Sequence, residues 1–330
     1  MRFSSMRRTL CALGILSAIA TAAAGPVHAA DAYPSRPVRL IVSYPPGGTN
    51  DILARILAKK LTQATGANFF VENRIGANGV IGTNTVAKAA PDGYTLLVAS
   101  SAPLAVGPTL FPNVPYNALH DFAPISLIAD VDVVLVARHD FPANDYAGFI
   151  KYAAAHPGKV NVALGGFGSV AQMLIEDVSR QNHLTLTKVP YTGTGPALVD
   201  LLAGRVDVDF ENLPATISYI KSGQLTPIVS FSKTRSEQLP NVPTVGELGA
   251  PSLSAAPWFA IVAPAGTSDA IQQKLAATIK TVLSDPQTKA QFAALGANVK
   301  TSSPEQTTKY VADEYHRWAR LIQDAHITMK

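Results

Sequence analysis

Cysteine is almost missing: the 330 residues hold one, Cys11. It lies inside an apolar N-terminal run, so the rest of the chain forms no disulfide, offers no thiolate nucleophile and binds no metal through sulfur. Charge is scarce as well, at 15% of residues. No long basic block occurs, which removes the electrostatic footprint of a nucleic-acid binder. The net charge of +4 owes much to Arg2, Arg7 and Arg8, and beyond them acids and bases come close to balance. The patterns G-x-x-x-x-G-K-[ST], G-x-S-x-G and H-E-x-x-H are all absent, so nucleotide hydrolysis, serine-esterase chemistry and zinc proteolysis lack support. His120, His139, His156, His183, His316 and His326 include no pair spaced i, i+4. We expect no catalytic residues, no metal and no cofactor.

Long apolar runs are missing too. Leu10 to Ala20 is too short for a membrane span, which takes roughly 20 apolar residues. Preceded by Arg2, Arg7 and Arg8 and followed by Val27-His28-Ala29, it has the layout of a secretory signal peptide. We expect cleavage after Ala29 and a soluble, exported mature protein.

What is present is organised around Val38 to Leu61. Leu40 to Val42 is an apolar run suited to a strand buried on both faces. Pro45, Pro46, Gly47 and Gly48 end it, since two prolines and two glycines cannot continue a ladder. Thr49 or Asn50 is the expected cap of a helix with Asp51 in its first turn. Ile52, Leu53, Ile56, Leu57 and Leu61 recur at helical spacing. The first N–H groups of such a helix point into the turn and form a ready anion site. Asp51 reads better as part of the helix start than as a general base, because the sequence shows it no partner.

The pattern of strand, glycine turn and helix recurs. Strands at Asn68–Glu72 and Tyr94–Ala99, the second followed by Ser100 and Ser101, complete a first set and argue for a parallel sheet wound by helices. Phe122 to Ala137 is apolar with few breaks. A second set has strands at Val160–Leu164, Thr185–Val189, Val206–Phe210 and Leu225–Phe231. Its turns hold Phe167, Gly168 and Ser169, then Tyr191, Thr192, Gly193 and Thr194, then Glu211 and Asn212. Trp258–Ala263 reads as a returning strand, with helices at Ser268–Ser284, Pro286–Leu295 and Ser303–Ala325. Gly166 to Ala171 matches G-x-G-x-x-A, but Thr185, Thr187 and Lys188 stand where a ribose-binding acid belongs, so a dinucleotide site falls short. Turns rich in Gly, Ser, Thr and Tyr supply binding groups without a nucleophile–base pair, which favours a receptor over an enzyme.

The motifs YPSRPVRLIVSYPPGGTNDILAR (33–55), VENRIGANGVIGTNTVAKAAPDGYTLL (71–97) and VPYTGTGPALVDLLAGRVDVDFENLPA (189–215) resemble the Bug family of periplasmic receptors for tripartite tricarboxylate transporters. LPNVPTVGELG (239–249) and PWFAIVAPAGT (257–267) strengthen the resemblance. It implies a type II periplasmic-binding-protein fold, two α/β domains with the ligand cleft between them. It also implies recognition of a carboxylate through backbone groups and bridging waters at the Gly47-Gly48 turn, with contributions from the turns at Ser169, Tyr191 and Glu211-Asn212. Members of the family often carry His where Gln172 stands and Asp where Glu211 stands.

The expected parts are residues 30–136, the first part of domain 1; 137–255, domain 2; and 256–330, the return to domain 1. Expected ligand contacts are Tyr44, Pro46, Gly47, Gly48, Thr49, Asp51, Ser100 and Ser101 from the first domain. From the second they are Phe167, Gly168, Ser169, Tyr191, Thr192, Gly193, Thr194, Glu211 and Asn212. The expected partners are a small carboxylate and inner-membrane transporter subunits, with no nucleic acid, for a monomer in the periplasm. The rival is an exported enzyme acting on a small carboxylic acid. An ionised Glu211 in the pocket would disfavour a second ligand carboxylate, so monocarboxylates and amino or aromatic acids are expected over citrate-like acids.

Overall fold

The computed structural model describes residues 33–111 and 113–324, and the signal-peptide expectation lies outside them. β1 (Val38–Val42) is buried at every position except Arg39. It pairs in parallel with β2 (Phe69–Asn73) and with β3 (Thr95–Ser100). α1 (Thr49–Thr65) links β1 to β2 and turns Leu53, Leu57 and Leu61 into the core. Each such leucine contributes about 2 kcal/mol by leaving water. α2 (Val80–Ala87) links β2 to β3. A π-helical turn at Ala102–Val106 and α3 (Gly107–Leu110) follow.

The apolar run that follows divides into β4 (Phe122–Val131) and β5 (Val133–Arg138), which lie in different sheets. The change of sheet falls at Asp132, a few residues before the expected boundary at 136. The second sheet continues with α4 (Tyr146–Ala155), β6 (Asn161–Leu164), α5 (Val170–Gln181), β7 (Thr187–Pro190) and α6 (Thr194–Leu202). β8 (Val208–Asn212), α7 (Leu213–Lys221) and β9 (Leu225–Ser230) complete it. The chain then returns to the first sheet as β10 (Trp258–Pro264), buried along its whole length. α8 (Asp269–Ser284), α9 (Pro286–Ala294), β11 (Ala297–Val299) and α10 (Pro304–Asp324) end the described chain. Both α8 and α10 pack on β4.

The sheets are mixed rather than wholly parallel. Their orders are β11-β4-β10-β3-β1-β2 and β7-β6-β8-β5-β9. The antiparallel members are two strands at the crossings, β10 against β3 and β4 and β5 against β8 and β9, and the edge strand β11 against β4. Local strand–helix repeats cannot reveal this, because a crossing strand takes its direction from the sheet it joins. Asp132 and the residues after β9 meet at the crossings, where Ser232 and Ser236 hydrogen-bond the Asp132 carboxyl. One apolar cluster runs from Ile41 and Leu97 in the first sheet to Leu135 and Phe210 in the second.

Candidate ligand-binding cleft

Residues from both sheets line a cleft of about 80 Å³, room for several waters or a small organic molecule. One wall holds Tyr44, Gly48, Thr49 and Asn50 after β1, and Ser100, Ser101 and Ala102 at the end of β3. Pro257 and Phe259 of the returning strand complete it. The opposite wall holds Gly165, Gly166, Phe167 and Ser169 after β6, and Val170 and Ala171 opening α5. Thr194 opens α6, and Phe210, Glu211 and Asn212 end β8.

Helices start on this cleft. α1 begins at Thr49, α5 at Val170, α6 at Thr194, and α7 at Leu213 directly after Asn212. The first N–H groups of a helix have no acceptor inside it and carry the positive end of its dipole. Among the described lining residues there is no Lys, Arg or His, so positive potential comes from backbone alone. The Thr49 hydroxyl is buried and has no partner among the described residues. Such a group needs an acceptor or a water to offset its desolvation. No group of His, Cys, Asp and Glu among the described residues is placed to hold a metal.

The walls are held in place by short local devices. Ser169 caps α5: its hydroxyl accepts the Gln172 N–H at 3.1 Å, while Gln172 Oε1 accepts the Gly168 N–H at 2.7 Å. This reciprocal cap gives buried Gln172 a structural task. Burial pushes the Tyr44 phenol far above its ordinary value, with a hydrogen bond from Ser100 acting the other way, so Tyr44 stays a neutral donor. Phe167 lines the cleft and also packs on the apolar core.

Several expected contacts lie elsewhere. The Gly47 N–H donates to Asp51 Oδ2 at 3.1 Å and is therefore spent inside the turn. Asp51 also takes Arg55 at 2.8 Å and Asn73 at 3.0 Å and does not line the cleft. Burial pushes its carboxyl up, but the bonds from Arg55, Asn73 and Gly47 together hold it below its ordinary value. Neither Thr49 nor Asn50 caps α1: the cap position is Gly48, and Asn50 Nδ2 donates to the Val98 carbonyl at 3.2 Å. Gly168 packs beside Gly107 and Phe111. The Tyr191 hydroxyl turns to Asp200 at 2.8 Å, and Thr192 lines a separate outer groove with Ile75 and Asn78.

Pro46 and Gly193 stand at the lips, where the walls touch. A Cβ on Gly193 would sit 2.5 Å from Pro45 Cδ, and one on Gly195 2.7 Å from the Pro46 carbonyl oxygen. Glycine is needed at 193 for close approach of the lips. Gly47 is different: its φ of +86° requires glycine, and space around it is open.

Sequence reading missed Asn50, Ala102, Gly165, Gly166, Val170 and Ala171 as contacts, though each adjoins a turn it singled out. Phe210, Pro257 and Phe259 carry no local signal. Phe259 reaches the cleft because β10 pairs it with Ser100, a long-range register.

Glu211 and Asp209 are the unusual pair. They project from the same face of β8, at 5% and 1% exposure. Burial raises the Glu211 carboxyl to about 7, against hydrogen bonds from the Asn212 N–H and the Thr194 hydroxyl. Burial also raises Asp209 well above its ordinary value, and the charge of Glu211 adds to it. Asp209 Oδ2 has no partner among the described residues.

A family profile described as the tripartite tricarboxylate transporter family receptor matches residues 53–327. The chain belongs to this receptor family. Protein BugT of Bordetella pertussis is 43% identical to the receptor over 327 residues, which cover 99% of this chain and all of BugT. The solved structure of the periplasmic binding protein BugD superposes on the receptor with a TM-score of 0.86 at 33% identity, covering 90% of this chain and 100% of BugD. An R. palustris protein solved with adipate superposes with a TM-score of 0.87 at 31% identity, covering 90% of this chain and 99% of that one. The receptor thus has the two-domain α/β fold of periplasmic binding proteins and is a solute-binding protein.

Proposed function

We propose that the receptor captures a small carboxylate in the cleft between its two sheets. The observation that carries this reading is the convergence of helix starts at Thr49, Val170 and Thr194 on a cleft lined by no cation, beside the unpartnered Thr49 hydroxyl. Preorganised N–H groups and hydroxyls suit a carboxylate oxygen, and waters bridge what they do not reach. The adipate held by the R. palustris relative supports the same ligand class. In this reading residues 1–29 export the chain, and the monomer works in the periplasm and delivers its ligand to membrane subunits of a transporter. The units that close on the ligand are the β1–β4 portion with the C-terminal return and the β5–β9 portion between them, hinged at the crossings near Asp132 and before Trp258.

The protein binds its ligand without converting it. Burial brings the acidity of Glu211 towards neutral, but the hydroxyl bonded to it is that of Thr194, and the described lining holds no His, Lys or Cys to complete a catalytic pair. The test is a thermal-shift and calorimetric screen with adipate, succinate, glutamate, nicotinate, benzoate and citrate, with each mixture checked for product. We expect stabilisation by at least one acid and no turnover. Absence of binding by all of them, or product formation, would overturn the reading.

A further inference from the structure

We propose that Glu211 meets the bound ligand as a neutral acid, donating its proton to a ligand oxygen, and that capture of the anion takes up a proton at the Asp209–Glu211 pair. The inference rests on the carboxylate reading of the cleft and adds the group that sets its selectivity. Among the described lining residues an anion entering this cleft finds one ionisable carboxyl and no Lys, Arg or His to offset it. An ionised Glu211 would repel that anion, whereas a protonated one offers it a hydrogen bond.

The geometry behind Glu211 keeps the proton available. Asp209 sits two residues back on the same face, deeply buried and with Oδ2 unpartnered, so two charges on this face would face each other without water. Glu211 Oε1 accepts the Asn212 N–H at 2.7 Å, and Oε2 lies by Gly165 at the cleft wall. On the ligand side, the buried Thr49 hydroxyl on the facing wall still lacks a protein partner.

The charged groups on elements packed against β8 are engaged elsewhere. Arg138 on β5 pairs with Asp140 and Asp207, and on α5 Glu176 pairs with Lys188 and Asp177 with Arg180. Asp200 on α6 takes Tyr191 and Arg205, and Lys221 on α7 bonds Gln238. Asp132 at the crossing is bonded by Ser232 and Ser236. Tyr44, across the cleft, is a neutral phenol. Among the described residues no cation is left to hold Glu211 ionised, and burial places its titration near pH 7. The bound proton comes from solvent and joins a Glu211 carboxylate oxygen as the anion enters.

The test is titration calorimetry with adipate, succinate and benzoate from pH 6 to pH 9, repeated in buffers of different ionisation enthalpy. Benzoate is ionised across this range, and adipate and succinate from about pH 7 upward, so the pH dependence of benzoate binding throughout, and of diacid binding above neutrality, belongs to the protein. We expect uptake of up to one proton and an affinity that falls about tenfold per pH unit above neutrality. Glu211→Gln should abolish both effects, and Asp209→Asn should leave the fall near neutrality, because buried Asp209 holds its own proton while Glu211 titrates. Carbon NMR of glutamate-labelled, ligand-free protein supplies a second readout that needs no ligand. One carboxyl carbon should titrate near neutrality and vanish in Glu211→Gln. Binding without proton uptake, or a Glu211 carbon that titrates in the ordinary glutamate range, overturns this inference and leaves the carboxylate reading standing. Failure of every acid to bind overturns both.

Discussion

Asp51 and Glu211 sit on opposite sides of the same cleft, equally buried at 4% and 5% exposure, and meet opposite fates. Asp51 collects a guanidinium, an amide and a backbone N–H, and its acidity increases. Glu211 has one N–H, one hydroxyl and another carboxyl for company, and its acidity falls. Solvent is kept from both, but Glu211 is set far deeper in the protein, so burial dominates its acidity while the bonds from Arg55, Asn73 and Gly47 dominate that of Asp51. The first wall thus spends an ionised acid on shaping its turn, outside the cleft. The second wall puts a protonatable acid into the lining.

The sharpest break of this comparison is in the pH dependence of stability. The folded-state pKa of Glu211 lies above its unfolded value, so the native state holds the extra proton between the two. Its contribution is fully present below the unfolded value, about pH 4.5, and is lost as pH rises through about 7. The loss is on the order of 3 kcal/mol. Denaturant unfolding of the ligand-free protein should show this decline, and Glu211→Gln should reduce it, leaving the part of the same sign that buried Asp209 contributes. Asp51 has the opposite sign: its folded-state pKa is depressed, so its contribution is present above the unfolded value and lost as pH falls through the folded one. Asp51→Ala removes bonds to Arg55, Asn73 and Gly47 and should cost about 2 kcal/mol at pH 7, again by denaturant unfolding.

The lips allow a smaller test. Gly193→Ala places a methyl against Pro45 without backbone strain, because its φ of 164° is extended. We expect roughly tenfold weaker ligand binding, about 1.4 kcal/mol, as the lips are forced apart. Equal affinity in calorimetry would show that the lips need not touch. The smallest effect belongs to Ser169→Ala, which removes the α5 cap and should cost about 1 kcal/mol in thermal or denaturant unfolding.

Much of this was legible in the chain. Glycine turns after apolar strands marked both walls, because strand ends and helix starts are written in local residue types such as Pro45-Pro46-Gly47-Gly48 and Gly168-Ser169. What stayed hidden depends on distance. Nothing local says that β10 runs antiparallel beside β3 and brings Phe259 to Ser100. Nothing local says that Tyr191 turns to Asp200, or that Gly47 gives its N–H to Asp51. The sign of the Glu211 effect was also hidden. An ionised glutamate is the natural assumption for a strand end, and the surrounding burial reverses it. With Glu211 neutral, the argument against a second ligand carboxylate lapses at low pH and returns as pH rises.

The most direct test of capture without a cation is a crystal structure of the receptor grown below pH 7 with whichever panel acid binds most tightly. A ligand carboxylate should lie within hydrogen-bond reach of the Thr49 hydroxyl and of the N–H groups opening α1, α5 or α6, with no Lys or Arg in contact. An acid bound outside this cleft, or one paired with a Lys or Arg side chain, would contradict it.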